Sequence, residues 1–241
     1  MKYFECTQEN IKALIKRRDE KLAQSEYTGI KALDEIFGYL IPGSTYMICA
    51  GTGVGKSSFL LATAKKIALN KRVLYVTIEQ NDEQLADVLP KNNSNLGFYE
   101  MEVWNEWKDI EILNQEKNYD YIIFDYLGAD CVEEWDELIN KSGELANMAK
   151  KNNWIIITAC QAKPEIVEEF KNDQFSLKLF TPMYIAYSKG MAAKIAGGVY
   201  LIKQKDSIFY LYNFKNRYRP LNIMPYTLTN LNLEKKEFME D

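Results

Sequence analysis

Histidine is absent from the 241 residues of the sequence. This absence removes the commonest metal-binding side chain and the commonest general base, so any general base must be a carboxylate. Cysteine is scarce as well, and Cys6, Cys49, Cys131 and Cys160 have no spacing typical of metal ligands. Cys49 and Cys160 fall within predicted strands, which favours buried thiols in the reducing cytoplasm.

No hydrophobic run is long enough to span a membrane, and the first residues lack the charged-then-apolar pattern of a signal peptide. We therefore expect a cytoplasmic protein that does not associate with membranes. Acidic residues outnumber basic ones by 34 to 30, which gives a net charge of −4. This balance gives no overall indication of nucleic-acid binding, although local basic loops could still bind phosphates.

A glycine-rich segment at residues 50–57 has the pattern of a phosphate-binding loop, between a predicted strand (46–50) and a predicted helix (57–67). Its glycines allow backbone N–H groups to surround a β-phosphate at the amino end of the helix. We expect Lys56 to reach the β- and γ-phosphates and the Ser57 hydroxyl to hold Mg²⁺. The sequence thus predicts a site for a nucleoside triphosphate, ATP with Mg²⁺. The predicted binding residues are Gly51, Thr52, Gly53, Val54, Gly55, Lys56, Ser57 and Ser58.

Strands alternate with helices over most of the chain. The predicted strands lie at 72–78, 98–103, 120–125 and 154–160, and the predicted helices near 82–89, 105–117 and 133–151. Residues 161–196 lack regular periodicity and predict a long loop region with short helical pieces. Residues 198–203 and 207–214 predict a hairpin, and a further strand pair is expected near 222–236. This order predicts an α/β domain whose mainly parallel sheet has an antiparallel carboxy-terminal edge.

An amphipathic helix is predicted at residues 8–25. Its narrow apolar stripe consists of Ile11, Leu14, Ile15 and Leu22. We expect this stripe to pack on the helix's own domain, and docking on a neighbouring subunit is the alternative. The predicted organisation is an amino-terminal helical arm at 1–26 followed by one domain at 27–241.

Three polar residues directly follow predicted strands and are candidates for the chemistry. Asp125 ends a buried strand and is expected to hold Mg²⁺ through water. Glu79 could polarise an attacking water, a role that must fall to a carboxylate in this chain. Gln161 could sense the γ-phosphate and couple it to the following loop. Each of the three could instead be an ordinary residue at the end of a strand.

Lys215 and Arg217 form a pair of cations after another predicted strand. With one residue between them, their side chains point the same way. This arrangement suits joint neutralisation of the γ-phosphate on an adjacent subunit, as an arginine finger does in trans. The alternative is a solvated basic turn that also contains Arg219.

The order and spacing of these motifs resemble the RecA-like ATPase core of the DnaB-family replicative DNA helicases. The matching segments are Thr28-Gly-Ile…Leu33-Asp34, Gly38…Pro42-Gly43, the phosphate loop, Ile78-Glu79, Phe124-Asp125-Tyr126-Leu127, Ala159-Cys160-Gln161 and Lys215-Asn-Arg217. The resemblance implies a RecA-like P-loop NTPase domain over residues 27–241. It also implies a homo-hexameric ring with ATP between subunits.

Within that resemblance, Glu79 is the catalytic base, Lys56 and Gln161 act at the γ-phosphate, and Lys215 with Arg217 is the trans finger pair. The loops after Asp125 and Gln161 are then expected to face a central channel and to grip the backbone of single-stranded DNA. In the tract after Gln161, the candidates for contact with DNA phosphates are Lys189 and Lys194.

Three functions remain open from the sequence. The favoured one is an ATP-driven DNA helicase or translocase that acts on single-stranded DNA in replication. The second is a RecA-like recombination or strand-annealing ATPase that forms filaments or open rings. The third is a KaiC-like regulatory switch, in which the nucleotide state controls assembly with a protein partner, and the acidic composition slightly favours it.

Overall fold

The structure is a computed structural model that describes residues 7–125, 127, 135–186, 189–205, 207–219 and 226–239. Cys6, Cys131 and Tyr126, which entered the expectations above, lie outside the described residues. Within the described ranges, no helix combines the length and the apolar character needed to cross a membrane.

Nine strands in the described ranges form one sheet, in the order β3-β2-β4-β5-β1-β6-β7-β8-β9. Their bounds are β1 Ser44–Ala50, β2 Val73–Thr77, β3 Leu96–Glu100, β4 Tyr121–Asp125, β5 Ile155–Gln161, β6 Gly197–Lys205, β7 Ile208–Asn216, β8 Tyr226–Asn232 and β9 Glu237–Phe238. Neighbours from β3 to β6 pair in parallel, and β6 to β9 pair antiparallel. The predicted α/β fold with an antiparallel carboxy-terminal edge is confirmed.

Helices occupy most of the segments between the parallel strands. Their bounds are α1 Gln8–Ala23, α2 Lys31–Phe37, α3 Lys56–Ile67, α4 Asp82–Leu85, α5 Trp107–Lys117, α6 Trp135–Asn152, α7 Glu165–Asn172 and α8 Lys189–Lys194. Short 3₁₀ helices precede α5 and separate α7 from α8. The helix predicted near 82–89 is shorter than expected. A capping box of Asn81 with Gln84 begins it, and turns lead from its end to Pro90, which disfavours helical backbone at the preceding residue.

The sheet is buried on both faces, which explains the continuous apolar runs of its central strands. In β1, Tyr46 and Ile48 join the core beneath α2 and α3. The alternate residues Met47 and Cys49 join the core beneath α5 and α6. Because successive side chains of a strand point to opposite faces, every residue of β1 has an apolar neighbourhood.

The segment before β1 is fixed by one carboxylate. Asp34 of α2 accepts hydrogen bonds from the Thr28 N–H at 2.7 Å, the Thr28 hydroxyl at 2.8 Å and the Gly29 N–H at 3.0 Å. Gly29 has a φ of 73°, a backbone conformation that favours glycine. This local network explains the Thr28-Gly-Ile…Leu33-Asp34 segment of the sequence as a structural turn.

The apolar stripe of α1 does not pack on its own domain, so that expectation is wrong. Ile11, Leu14 and Ile15 remain 44%, 45% and 44% exposed, respectively. The rest of α1 is strongly charged, so only this narrow stripe could have provided apolar contact area. The alternative, docking on a neighbouring subunit, stays a prediction.

The two described cysteines are core thiols, as the sequence predicted. Cys49 of β1 and Cys160 of β5 are register partners on adjacent parallel strands. Both are buried, and their Sγ atoms lie 2.8 Å apart. Burial is the main cause that raises the pKa of the Cys49 thiol, which keeps it protonated and unreactive.

Gly198 in β6 leaves no space for a side chain. A Cβ atom there would lie 2.3 Å from Cζ of Phe214 and 3.1 Å from Cδ1 of Ile195. We expect Gly198→Ala to lower the free energy of unfolding by about 1–3 kcal/mol, because overpacking forces these side chains to move. Urea denaturation measures the change.

Gly143 in α6 is the matched control, since a Cβ atom there would meet only carbons of Lys194 at 3.9 and 4.0 Å. Gly143→Ala should raise the free energy of unfolding by about 0.5–1 kcal/mol, because alanine favours the helix. Equal effects of the two substitutions would contradict the packing argument.

Candidate nucleotide-binding site

The phosphate loop connects the end of β1 directly to the start of α3. Gly53 and Gly55 have φ angles of 73° and 108°, in the left-handed region that favours glycine. A Cβ atom on Gly53 would have no neighbour within 4 Å, so the inner side of the loop is open. No side chain caps the amino end of α3 at Gly55. The first N–H groups of this helix are therefore available to an anion.

Four strand ends meet around this loop. β1 lies beside β5, so Ala50 is the register partner of Gln161. β4 lies on the far side of β5, and β2 follows β4, with Thr77 opposite Asp125. The side-chain amide of Gln161 donates a hydrogen bond to the Thr52 hydroxyl at 2.9 Å. The sheet order thus places these polar side chains at one edge, as expected for parallel strands.

Asp125 is fully buried, with 0% of its surface exposed. Its Oδ1 atom accepts a hydrogen bond from the Ser57 hydroxyl at 3.1 Å, and its Oδ2 atom accepts one from the Tyr75 hydroxyl at 2.6 Å. Burial raises the pKa of Asp125 to about 6, and the two hydrogen bonds partly oppose this increase. The carboxyl therefore connects α3 with β2 and β4 at the base of the loop.

The oxygen atoms of Ser57 and Asp125 fit a Mg²⁺ ion. Mg²⁺ prefers oxygen ligands and is commonly held by one or two carboxylates together with substrate phosphates and water. Among the described residues, no cluster of three or more Asp, Glu, Cys or His could hold a metal without such a substrate. The donors present therefore suit a metal that enters with a nucleotide, with Ser57 and Asp125 as its protein side.

Glu79 lies just beyond the end of β2 and is exposed to solvent. The hydroxyl of Thr77 accepts the N–H groups of Glu79 and Gln80, each at 3.2 Å, and so fixes the turn. After burial and the hydrogen bonds, the charge of Glu79 is a further cause that raises the pKa of Asp125. Glu79 therefore stands close enough to act electrostatically on the metal-binding carboxylate.

The structure places Lys215 and Arg217 against α8 of the same chain. Lys215 donates to the carbonyl of Ala192, and Arg217 donates to the carbonyl of Ala193. Both side chains point the same way, as their spacing predicted, and they stabilise the carboxyl end of the helix. Burial, followed by the charge of Arg217, lowers the pKa of Lys215 to about 8. Their trans role stays a prediction.

The two lysines proposed for DNA contact mark the ends of α8. The side chain of Lys189 lies outside what the structure describes. Lys194 is exposed, and its aliphatic carbons run beside Gly143 of α6. Contact of either residue with DNA stays a prediction.

Sequence reasoning missed two contributors to the site. Tyr75 lies inside the apolar run of β2, where its pattern is that of a core aromatic, and only the register of β2 on β4 brings its hydroxyl to Asp125. Leu233, after β8, lies against Gly55 of the phosphate loop. No local pattern could have indicated this contact, because the two segments are distant in the sequence.

The pKa of Asp125 predicts a specific pH dependence of stability. Since its folded-state pKa of about 6 exceeds the ordinary 3.8, the folded protein binds this proton more tightly than the unfolded chain. The resulting stabilisation is complete below pH about 4 and is lost as the pH rises through about 6. Asp125→Asn stays neutral and should raise the free energy of unfolding at pH 7 by about 1–3 kcal/mol. Urea denaturation at pH 4.5 and 7, without Mg²⁺ or nucleotide, measures it.

Asp87 is exposed and serves as the control, so Asp87→Asn should leave the pH dependence unchanged. A loss of stability in Asp125→Asn at pH 7 would show that the ionised carboxylate stabilises the empty site.

No protein-family model matches the chain. Among curated proteins, the DNA repair protein RadA of Aquifex aeolicus is 38% identical over 98 residues, which are 39% of this chain and 22% of that protein. RadA of Escherichia coli is 39% identical over 75 residues, covering 29% of this chain and 16% of that protein. The chain thus matches only about a fifth of the length of these relatives.

Solved structures give a likeness over nearly the whole chain. The ATPase domain of one DnaB-like helicase superimposes with a TM-score of 0.73 at 17% identity, covering 97% of this chain and 98% of that one. A DnaB-like replicative helicase, solved in a study of its interactions with primase, has a TM-score of 0.73 at 16% identity and covers 94% of this chain and 65% of that one. The fold resemblance predicted from the sequence is confirmed: the chain has the RecA-like fold of the ATPase domains of DnaB-like helicases.

Proposed function

We propose that the chain is an ATP-hydrolysing motor that acts on single-stranded DNA, a DnaB-like helicase or translocase of DNA replication. One observation carries the proposal. The phosphate loop, the Ser57–Asp125 pair, Gln161 and Glu79 occupy neighbouring strand ends in a fold shared with DnaB-like helicase ATPase domains. In this proposal the protein works as a homo-hexameric ring with ATP at the subunit interfaces.

Hydrolysis requires a positioned triphosphate, an oriented water and stabilisation of the developing charge. The loop amides and Lys56 hold the phosphates, and Glu79 orients the attacking water. Gln161, already hydrogen-bonded to Thr52, contacts the γ-phosphate and connects it to the tract after β5. Mg²⁺, when bound by Ser57 and Asp125, neutralises charge on the β- and γ-phosphates.

Helix α8 connects the remaining parts of the proposed motor. Lys189 and Lys194 stand at its two ends, and its last carbonyls bind Lys215 and Arg217. In a ring, the two lysines contact the phosphate backbone of single-stranded DNA, and the finger pair reaches the nucleotide of the adjacent subunit. The same short helix therefore touches both proposed functions.

Steady-state ATP hydrolysis with and without single-stranded DNA tests the motor. We expect DNA to stimulate hydrolysis and Lys56→Ala to reduce it by at least about 10²-fold, because the γ-phosphate loses its cation. Lys91 is an exposed lysine in a loop, and Lys91→Ala is the matched control. Hydrolysis that is lost in Lys56→Ala but indifferent to DNA would contradict the motor and favour a nucleotide-switched assembly protein.

The trans finger predicts complementation between inactive variants. Arg217→Ala should lower the turnover rate by about 10³-fold or more with little change in nucleotide affinity. Mixing Arg217→Ala with Lys56→Ala subunits should restore part of the activity, since some interfaces then combine an intact loop with an intact arginine.

Lys203, exposed on β6, provides the control for this experiment, and Lys203→Ala should keep full activity. Mixtures that remain as inactive as their components would argue that Arg217 only stabilises α8.

A second function is favoured by one observation. The RadA matches are local but more than twice as similar in sequence as the structural neighbours. They support an ATPase of DNA repair or recombination that does not separate strands. Unwinding of a forked duplex distinguishes the two functions, because only the helicase should release the labelled strand with ATP.

A further inference from the structure

The tip of the carboxy-terminal hairpin lies on the phosphate loop. β8 and β9 are joined by a turn at residues 233–236, which we call the hairpin tip. A Cβ atom on Gly55 would lie only 2.9 Å from Cδ2 of Leu233. Gly55 is the last loop glycine before Lys56, so the hairpin tip borders the space in which a triphosphate would bind.

The hairpin tip is firmly attached to the helix that follows the loop. Phe238 packs edge-to-face on Phe59 of α3, with ring centroids 5.4 Å apart. Lys65 of α3 donates to the carbonyl of Lys235 at 3.0 Å and pairs with the carboxylate of Glu237 at 2.9 Å. The Lys65 side chain is only 13% exposed, which makes this pair better shielded than an ordinary surface ion pair. The hairpin tip therefore keeps a fixed position relative to the phosphate loop.

Lys236 in the hairpin tip is a half-buried cation at a strained position. Its φ angle is 50°, in the left-handed region that residues other than glycine rarely adopt. Lys65 has two partners nearby, whereas within the described ranges the Lys236 ammonium has no hydrogen bond or ion pair. Burial lowers the pKa of Lys236, and the negative charge of Asp125 opposes this decrease. The ammonium thus lies within electrostatic reach of the carboxylate that holds the metal.

We propose that Lys236 binds the phosphates of a nucleoside triphosphate held in the phosphate loop of its own subunit. The inference rests on the proposed function, because it requires the loop to bind this nucleotide. A cation that is half-buried without a counter-ion is costly, and an anionic ligand removes that cost. The hairpin tip then forms a wall of the site, with Leu233 against the loop and Lys236 directed to the charge.

Calorimetric titration with a non-hydrolysable ATP analogue and Mg²⁺ tests this role. Lys236→Gln keeps the length and polarity of the side chain but removes its charge, and we expect the affinity to fall about tenfold. Lys236→Arg should keep the affinity within about twofold, since the charge remains. Lys235→Gln is the matched control in the same turn, because Lys235 is exposed and only its backbone carbonyl binds Lys65.

Inorganic tripolyphosphate identifies the contacted group, because it carries the phosphates without ribose or base. Lys236→Gln should weaken tripolyphosphate by the same factor as the ATP analogue. Weakening of the analogue alone would place Lys236 at the nucleoside and overturn the proposal, as would unchanged affinity for both ligands. Lys56→Ala separates the two hypotheses. Loss of binding in Lys56→Ala with normal binding in Lys236→Gln refutes only the role of Lys236, whereas normal binding in Lys56→Ala refutes the nucleotide site itself. Thermal unfolding without ligand confirms that each variant is folded.

Discussion

The buried carboxyl of Asp125 is the constraint on which the rest of the site depends. It has no contact with solvent, and its two oxygens accept hydrogen bonds from Ser57 and Tyr75. These bonds connect the first turn of α3 to β4 and β2, which are separated in the sheet from β1. A buried carboxylate is costly unless it is paired. The site therefore accepts a local loss of stability in the empty protein in order to place a charge where a metal binds.

The other side chains at this edge are held by shorter connections. Gln161 reaches Thr52 across adjacent strands, and Thr77 fixes the turn that carries Glu79. These contacts leave the phosphate loop open while they fix the groups around it. The edge thus has the preorganisation expected of a site for charge stabilisation, where donors and acceptors are in place before the ligand binds.

Sequence reasoning located most of this edge because the central strands are buried on both faces. Their continuous apolar runs mark β1, β2, β4 and β5, and the polar residue after each run therefore lies at the shared edge. Contacts that depend on register or chain return could not be predicted. Tyr75 resembles any core aromatic, and the hairpin tip reaches Gly55 only because the antiparallel strands fold back over α3. Likewise, the exposure of Ile11 depends on how α1 is placed, which helical periodicity does not determine.

The cis position of Lys215 and Arg217 on α8 does not conflict with a trans role. A hydrogen bond from a charged group contributes about 1.5–3 kcal/mol, and less where the group is exposed as Arg217 is. A rate contribution of about 10³–10⁵ from a finger corresponds to roughly 4–7 kcal/mol in the transition state. Exchange of the Ala193 carbonyl for a neighbour's γ-phosphate is therefore favourable while the charge develops. Because the carbonyls released belong to α8, each such exchange must also loosen the helix that carries Lys189 and Lys194.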